Sequence, residues 1–498
     1  MGFYEDLARE IAGGTITTQA QLERRKRELC KQYGIVDIPT KSDMLAKIPN
    51  AGALLLQKPT RSLSGVSVVA IMLPPSECPG KCIYCPRGEA AQSYTGFEPA
   101  AMRAQQNGFD AERQVRSRIR QLEASGHPTD KVELVVMGGT FNALPLEEQR
   151  AFVLGAFNGL NSIRASSVPQ AHYYNERARH RCVGLTFETR PDWVVGNVEQ
   201  MLEFGCTRVE LGVQSIYDEV LRKVNRGHTV RDTIDATQLL RDLGLKVCYH
   251  VMPGLPGSSP EMDVEMFRVL FQDERFMPDM LKIYPCLLVK KGFYRDPAIH
   301  AMYERGEWAP LTNAQAVEII ARAKKFFPRW VRVMRIQRDI PAPHIEAGVT
   351  AGNLRELVHV RAHELGTECK CIRCREIGHV PTGGGEPVLG KQSYRAAGHE
   401  ECFISLDTDK ALYGFARVRD CADVARVREL HVYGPEARLG ERGVVQHLGY
   451  GKLLMEAVEQ QAVDWGQKRI SVTSGVGVRD YYRQLGYAQD GAYMSKTL

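Results

Sequence analysis

No run in this sequence approaches the ~18 uninterrupted apolar residues that a membrane span requires. The first twenty residues carry Glu5, Asp6, Arg9 and Glu10 where an export signal would need an apolar stretch. The expectation is a cytoplasmic protein. Neither sign of charge dominates: 65 Lys/Arg stand against 59 Asp/Glu, with a pI near 8.6. A mildly basic balance is compatible with a nucleic-acid partner and does not require one. At 498 residues the chain is too long for one ordinary core, so two or three domains are expected.

What is present is cysteine, 13 of them. In a small secreted domain they would suggest disulfides; in a long cytosolic chain, clustered cysteines are metal ligands or redox groups. Six fall in two tight groups: Cys78, Cys82 and Cys85, then Cys369, Cys371 and Cys374. The other seven are scattered and read as small buried hydrophobes.

Residues 1–62 read as a helical extension. Its LERRKRELCK stretch, Leu22 to Lys31, is either a solvated helix face or an RNA-contacting arm. Residues 63–358 alternate short apolar runs with segments of helical length. The strand candidates are Val66–Leu73, Val132–Met137, Val183–Phe187, Val209–Val213, Val247–Val251, Leu281–Tyr284 and Val331–Ile336. Between them lie helical stretches such as 111–124, 230–243 and 314–327. This alternation implies βαβ units and a parallel sheet closed into a full or partial TIM-type barrel, an α/β fold. Chemistry in such folds sits at the C-terminal ends of the strands. The unusual residues fall there: CPGKCIYC after the first strand, Gly138-Gly139-Thr140 after the second, Glu188-Thr189-Arg190 after the third. Residues 359–399 read as a loop-like linker that includes Gly383, Gly384 and Gly385. Residues 400–498 read as a separate α+β domain: strands 402–406, 412–418 and 427–432, a long helix 449–465, a strand 470–472, a short helix 481–485 and a last strand near Met494.

The spacing Cys78-x3-Cys82-x2-Cys85 carries the strongest signal. A standard iron–sulfur or structural zinc site takes four protein ligands. Three thiolates this close leave one iron of a 4Fe–4S cluster open, as in radical-SAM enzymes, where that iron chelates S-adenosylmethionine. The bland alternative is a zinc knuckle completed by a distant His. Gly138 and Gly139 leave backbone free to bind the methionine amine of the cofactor. Glu188 and Arg190 are candidates for its ribose and carboxylate, or else a salt-bridged pair on the barrel rim.

In the last domain, Gln446-His447-Leu448-Gly449-Tyr450-Gly451 matches the Q/R-x-x-G-x-G/A signature of GNAT acetyltransferases. Gly449 and Gly451 let backbone approach a pyrophosphate, and the following helix turns its N–H donors toward it. That helix is expected to place Leu453, Leu454, Ala457, Val458 and Trp465 on one face. Of Tyr481 and Tyr482, one is expected at the ligand and the other in the core.

In these motifs together the chain resembles the catalytic-subunit family of Elongator, radical-SAM/acetyltransferase proteins that modify tRNA. The resemblance runs from about Lys58 to Leu498. It rests on segments such as CIYCPRG, DKVELVVMGGTFNALP, ELGVQSIYDEVL, NRGHTV, RIQRDIP, VRELHVYG, QHLGYGKLLMEAVE and SGVGVRDYYRQLGY. It implies a radical-SAM partial barrel fused to a C-terminal GNAT domain. It implies that Cys78, Cys82 and Cys85 hold the cluster, and that Lys131 binds acetyl-CoA from the radical-SAM side. Glu429, Leu430, His431 and Val432 would form the acetyl-CoA strand and Tyr450, Gly451 and Lys452 the pyrophosphate loop, with Tyr482 near the thioester. Lys131 and Tyr482 are the catalytic candidates. The implied reaction takes hydrogen from the acetyl methyl group, adds that carbon to C5 of the wobble uridine and hydrolyses the thioester, giving 5-carboxymethyluridine. The implied partners are the anticodon stem-loop of tRNA, acetyl-CoA, an electron donor and a second copy of the chain in a homodimer, with no membrane.

Cys369-x-Cys371-x2-Cys374 is not a family-wide feature. On its chemistry it is a zinc site, with His379 the nearest fourth ligand in sequence. Two other functions compete: a protein lysine acetyltransferase whose barrel is a scaffold, and a non-catalytic tRNA-binding module.

Overall fold

The computed structural model describes residues 2–48, 52–58, 62–86, 91–294, 297–380, 385–434, 445–446 and 448–498. Arg87, Gly88, Gly383, Gly384 and His447, quoted above, lie outside the described residues.

Seven parallel strands form the first sheet in chain order. They are β1 (Ser67–Met72), β2 (Lys131–Met137), β3 (Arg181–Thr189), β4 (Arg208–Gln214), β5 (Lys246–Val251), β6 (Met280–Ile283) and β7 (Arg332–Ile336). Each pairs with the next, from Ser67 opposite Val132 to Met280 opposite Arg332. β1 and β7 do not pair, so the sheet curls into a half-barrel. Every strand sits where its apolar run placed it. Residues such as Val69, Ile71, Leu134, Val136, Leu185, Val209, Val247 and Leu281 are buried against covering helices. One such helix, Ala111–Ala124, starts at Asp110, whose side chain accepts from Arg113 N, and buries Val115, Ile119 and Leu122. A two-stranded ribbon, Leu288–Val289 with Ile345–Ala347, lies outside the sheet.

Residues 3–55 form four helices, Phe3–Ala12, Gln19–Gln32, Lys41–Lys47 and Gly52–Leu55, around their own small core of Leu7, Leu22, Leu29 and Met44.

The second sheet has the order β8-β9-β10-β11-β12-β14-β13. Its strands are β8 (Val388–Ala396), β9 (His399–Asp407), β10 (Leu412–Asp420), β11 (Ala425–Val432), β12 (Arg469–Val472), β13 (Ala488–Asp490) and β14 (Tyr493–Thr497). The first four run antiparallel; β11 pairs with β12 in parallel. β8 falls inside the stretch read as a linker. It is an edge strand with both faces largely exposed, so its sequence lacks the apolar alternation that marks a strand. The linker also begins inside a helix, Leu354–Glu364. The long helix, Tyr450–Asp464, buries Leu454, Met455, Val458 and Ala462, whereas Leu453 is exposed. Ala457 and Trp465 pack against the same core, so the expected face holds except at Leu453, whose place is taken by Met455.

The second domain sits across the N-terminal ends of the barrel strands. Gly475 packs against the backbone of Val183 so closely that a Cβ there would lie 2.2 Å from the Val183 carbonyl oxygen. A buried ion network crosses the junction. Arg428 donates to Asp279 at 2.7 and 2.5 Å and to the Leu245 carbonyl at 2.9 Å, and Arg241 donates to Glu401 at 2.5 Å. Arg419 adds bonds to Asp242 and Glu401, and Arg417 to Glu429. Four guanidiniums thus face four carboxylates. Such a network fixes one arrangement of the domains, because breaking any pair leaves a charge buried without compensation.

Candidate functional site in and below the half-barrel

A cavity of about 490 Å³ occupies the half-barrel. At the C-terminal ends of the strands it is lined by Cys78, Cys82 and Cys85, carried on the loop after β1. Gly80 N donates to Cys78 Sγ at 3.3 Å, Arg226 Nη1 to Cys82 Sγ at 3.5 Å, and Cys85 Sγ lies 3.5 Å from Ser93 Oγ. Burial, and next the neighbouring Cys82, push the Cys85 thiol up. The cysteine triplet whose sulfurs converge within 4.8 Å of one another, as ligands of a single ion must, is instead Cys369, Cys371 and Cys374. Three thiols spread around a cavity mouth suit a multi-iron cluster better than one tetrahedral zinc.

The polar groups around the cysteines are under-satisfied. Arg190 Nη1, Gln92 Oε1, Thr189 Oγ1 and Gln214 Oε1 are buried without a hydrogen-bond partner. Orphaned buried donors and acceptors mark the place of a polar ligand. Arg190 is otherwise held by Asp192, at 3.0 and 2.8 Å, rather than paired with Glu188 on the rim. Glu188 accepts from Tyr94 OH at 3.2 Å and lies 3.8 Å from Lys282. Gly139 (φ 95°) lines the cavity, whereas Gly138 (φ 121°) is turned toward Leu73 and Ala91, which a Cβ would meet at 3.1 and 2.9 Å.

Charged side chains continue down the inner faces of the strands: Glu133, Arg208, Glu210, His250, Lys282 and Arg332. Glu210 is fully buried. It accepts from His250 Nε2 at 2.8 Å and from Lys282, and faces Arg208 at 3.3 Å. Burial alone would raise its pKa, but Lys282, His250 and Arg208 outweigh that and hold the carboxyl well below the usual range. Nearby His228 is held neutral, down to about 2, first by burial and then by Arg226 and Arg190. The sequence reading missed these lumen residues. Each is a charged or imidazole side chain inside an otherwise apolar strand, which is the signal that marks a polar interior.

At its lower end the cavity is lined by residues that touch the second domain. Ser64 lines the cavity, and its carbonyl accepts from His431 Nε2 at 2.7 Å. Arg332 sits 5.7 Å over the Tyr433 ring, which lies 4.3 Å from the His431 ring. Lys131, the first residue of β2, donates to Gln446 Oε1 at 2.6 Å. Gln446 in turn donates to the carbonyls of Gly65 and Val432 at 3.3 and 3.1 Å. Its side chain therefore faces the domain junction. On β11, Glu429 accepts from Arg417 at 2.8 Å; Leu430 and Val432 pack on the core of the second domain. Gly449, in the left-handed region at φ 89°, starts the helix that carries Tyr450, Gly451 and Lys452. The Tyr481 hydroxyl lies over Gly451, 2.8 Å from where a Cβ would be, and has no hydrogen-bond partner. Burial pushes it up to about 12. The Tyr482 ring is buried against Tyr487.

The second cysteine triplet lies where the helix Leu354–Glu364 meets the loop after it. Cys371 and Cys374 are 3.5 Å apart, and the imidazole nearest them is His359, with Nε2 3.8 Å from Cys374 Sγ. His379 instead faces Glu376, at 2.8 Å. Proximity in sequence had pointed to His379; the helix turn brings His359 closer in space.

Comparison with known proteins places these features. The radical SAM superfamily model matches residues 72–270, the Radical_SAM C-terminal domain model residues 278–364 and the acetyltransferase (GNAT) family model residues 374–487. A "tRNA uridine(34) acetyltransferase" of Methanocaldococcus infernus is 46% identical, over 99% of this chain and 98% of that protein. "Elongator complex protein 3" of Schizosaccharomyces pombe is 39% identical, over 99% and 97%. A solved structure of the archaeal Methanocaldococcus infernus Elp3, lacking an N-terminal segment, superposes with a TM-score of 0.76 at 43% identity, covering 88% of this chain and all of that one. The chain belongs to the Elongator complex protein 3 family, in which a radical SAM half-barrel and a GNAT acetyltransferase domain share one polypeptide.

Proposed function

We propose that this protein is an acetyl-CoA-dependent radical-SAM enzyme that converts the wobble uridine of tRNA to 5-carboxymethyluridine. The observation that carries the reading is the continuity between the two halves. One cavity extends from Cys78, Cys82 and Cys85 to Ser64, and Ser64 is bonded to His431 of the acetyltransferase strand. A barrel serving only as scaffold has no need of that connection, which argues against a protein lysine acetyltransferase.

In this reading Cys78, Cys82 and Cys85 hold a 4Fe–4S cluster. Gly139, Glu188 and Arg190 surround S-adenosylmethionine, and Gly138 forms the turn behind Gly139. When bound, cluster and cofactor supply the hydrogen-abstracting 5′-deoxyadenosyl radical. The remaining work falls to the protein. The β11 residues Glu429–Val432, the loop of Gln446 and Gly449–Lys452, and Tyr481 and Tyr482 seat acetyl-CoA. Lys131 ties that loop to the barrel. Glu210, Lys282 and His250 keep the lumen polar for a uracil ring, whose two carbonyls and N–H need partners once it leaves the RNA stack. Cys369, Cys371, Cys374 and His359 hold a structural zinc, in preference to His379. The division into residues 1–62, 63–358, 359–399 and 400–498, with the first as a tRNA-contacting extension, belongs to the same proposal, as do a homodimer and an external electron donor. No helix among the described residues is long and apolar enough to cross a membrane.

The test is anaerobic reconstitution with tRNA, dithionite, S-adenosylmethionine and labelled acetyl-CoA. Label is expected in uridine, and Cys82→Ser is expected to abolish S-adenosylmethionine cleavage. Label in protein, undiminished in Cys82→Ser, would overturn the reading in favour of the lysine acetyltransferase.

A further inference from the structure

Three rings meet on the surface at the C-terminal end of the half-barrel, beside the cavity mouth. They come from three separate loops: Phe97 from the segment after the cysteines, Phe293 from the connection after β6, and His344 from the turn after β7. The Phe97 and His344 rings stack with centroids 4.1 Å apart and planes 24° apart. Phe293 stands edge-on to both, at 5.9 and 5.4 Å. Phe97 nevertheless keeps 44% of its surface exposed.

The group is held in place from below. The buried Glu98 carboxylate accepts from Thr95 N at 3.0 Å and Gly96 N at 3.1 Å, fixing the turn that presents Phe97. Lys290 N donates to the His344 carbonyl at 3.1 Å, and the ribbon Leu288–Val289 with Ile345–Ala347 anchors the other two rings. Leu287, Val289 and Ile340 form a small core underneath. Tyr94, Glu98 and Arg338, from the same loops, line the cavity itself. Two exposed lysines at this end, Lys81 and Lys290, make no ion pair with any described residue.

We propose that this three-ring surface is a stacking platform for a nucleotide of single-stranded RNA that flanks the base entering the cavity. The inference rests on the reading of the protein as a tRNA-modifying enzyme. A rigid, exposed aromatic face with the unpaired Lys290 beside it suits a planar base on an anionic backbone. A second protein copy would call for a larger contiguous apolar patch than Phe97 offers with the half-buried Phe293 and His344. Stacking the neighbour outside the cavity would hold the loop open while the target uridine lies within.

The test uses the full chain and an anticodon stem-loop carrying 2-aminopurine in place of the nucleotide on one side of the target uridine, then on the other. Wild-type protein is expected to quench one of the two probes on binding. Phe97→Leu keeps the apolar bulk and removes the π face; it should leave that probe bright and weaken binding roughly tenfold, the scale of one base–aromatic stack. His344→Ala should act in the same direction, and Phe97→Tyr should restore both signals. Equal binding and equal quenching by wild type and Phe97→Leu would overturn the platform. So would unchanged RNA binding with loss of a dimer in sedimentation, which would assign the rings to a second copy. A wild-type protein that neither binds nor modifies the stem-loop would instead refute the proposed function, so the two failures are distinguishable.

Discussion

Replacing Arg428 by Met should separate the two domains energetically more than any single surface change. The guanidinium is 1% exposed and donates to Asp279, Glu401 and the Leu245 carbonyl. Removing it leaves Asp279 with Arg241 at 3.5 Å, Arg417 at 3.8 Å and the Val247 N–H at 2.8 Å, and leaves the network one positive charge short. Truncating one partner of a buried pair costs about 3–5 kcal/mol. An exposed pair such as Arg231–Asp235, at 2.8 Å, should cost under ~1 kcal/mol when broken. Urea unfolding of both variants beside wild type measures the contrast, and Asp279→Asn added to Arg428→Met should recover part of the loss. The pH dependence gives a second readout. Asp279 and Glu401 are both held below their ordinary values, where the arginines outweigh the opposing effect of burial. Depressed carboxyls contribute stability that is fully present above their unfolded pKa, about 4, and lost as pH falls toward their folded values. Wild type should therefore weaken below about pH 4, and Arg428→Met should show less of that acid loss because its carboxyls are less depressed. An Arg428→Met protein within ~1 kcal/mol of wild type at neutral pH would refute the reasoning.

Three further outcomes follow from the same geometry. Gly475→Ala puts a methyl 2.2 Å from the Val183 carbonyl oxygen, which only a shift of the domains relieves, so the urea midpoint of unfolding should fall below that of wild type. Lys131→Met removes the donor to Gln446 Oε1 and should weaken acetyl-CoA binding several-fold by calorimetry while S-adenosylmethionine cleavage persists. His359→Ala should lower bound zinc, measured by atomic emission, more than His379→Ala; the reverse order would return the fourth ligand to His379.

Much of this molecule was written locally in its chain. All seven barrel strands were legible because each is a short Val/Ile/Leu run closed by glycine, proline or polar residues. The two ligand-binding motifs were legible because cysteine spacing and a Gly-x-Gly turn are local constraints. What was not legible depends on contacts distant in sequence or on exposure. β8 has no buried face and so no alternation to read. His359 approaches Cys374 across a helix turn and a loop, and no spacing rule distinguishes it from His379. Docking of the acetyltransferase domain on the N-terminal ends of the strands rests on partners such as Arg428 and Asp279. Arg428 shares its strand with Arg426 and Glu429, and Asp279 stands just before β6, so nothing local marks either residue or names its partner.

The junction also sets a timetable for biosynthesis. The half-barrel pairs its strands in the order in which they leave the ribosome, so its sheet needs nothing from the downstream chain. Asp279, however, waits for Arg428, 149 residues later, which at ordinary elongation rates is roughly 7–30 s. For that interval Asp279 has only Arg241 and the Val247 N–H as partners, and the base of the nascent barrel presents surface that the acetyltransferase domain later covers.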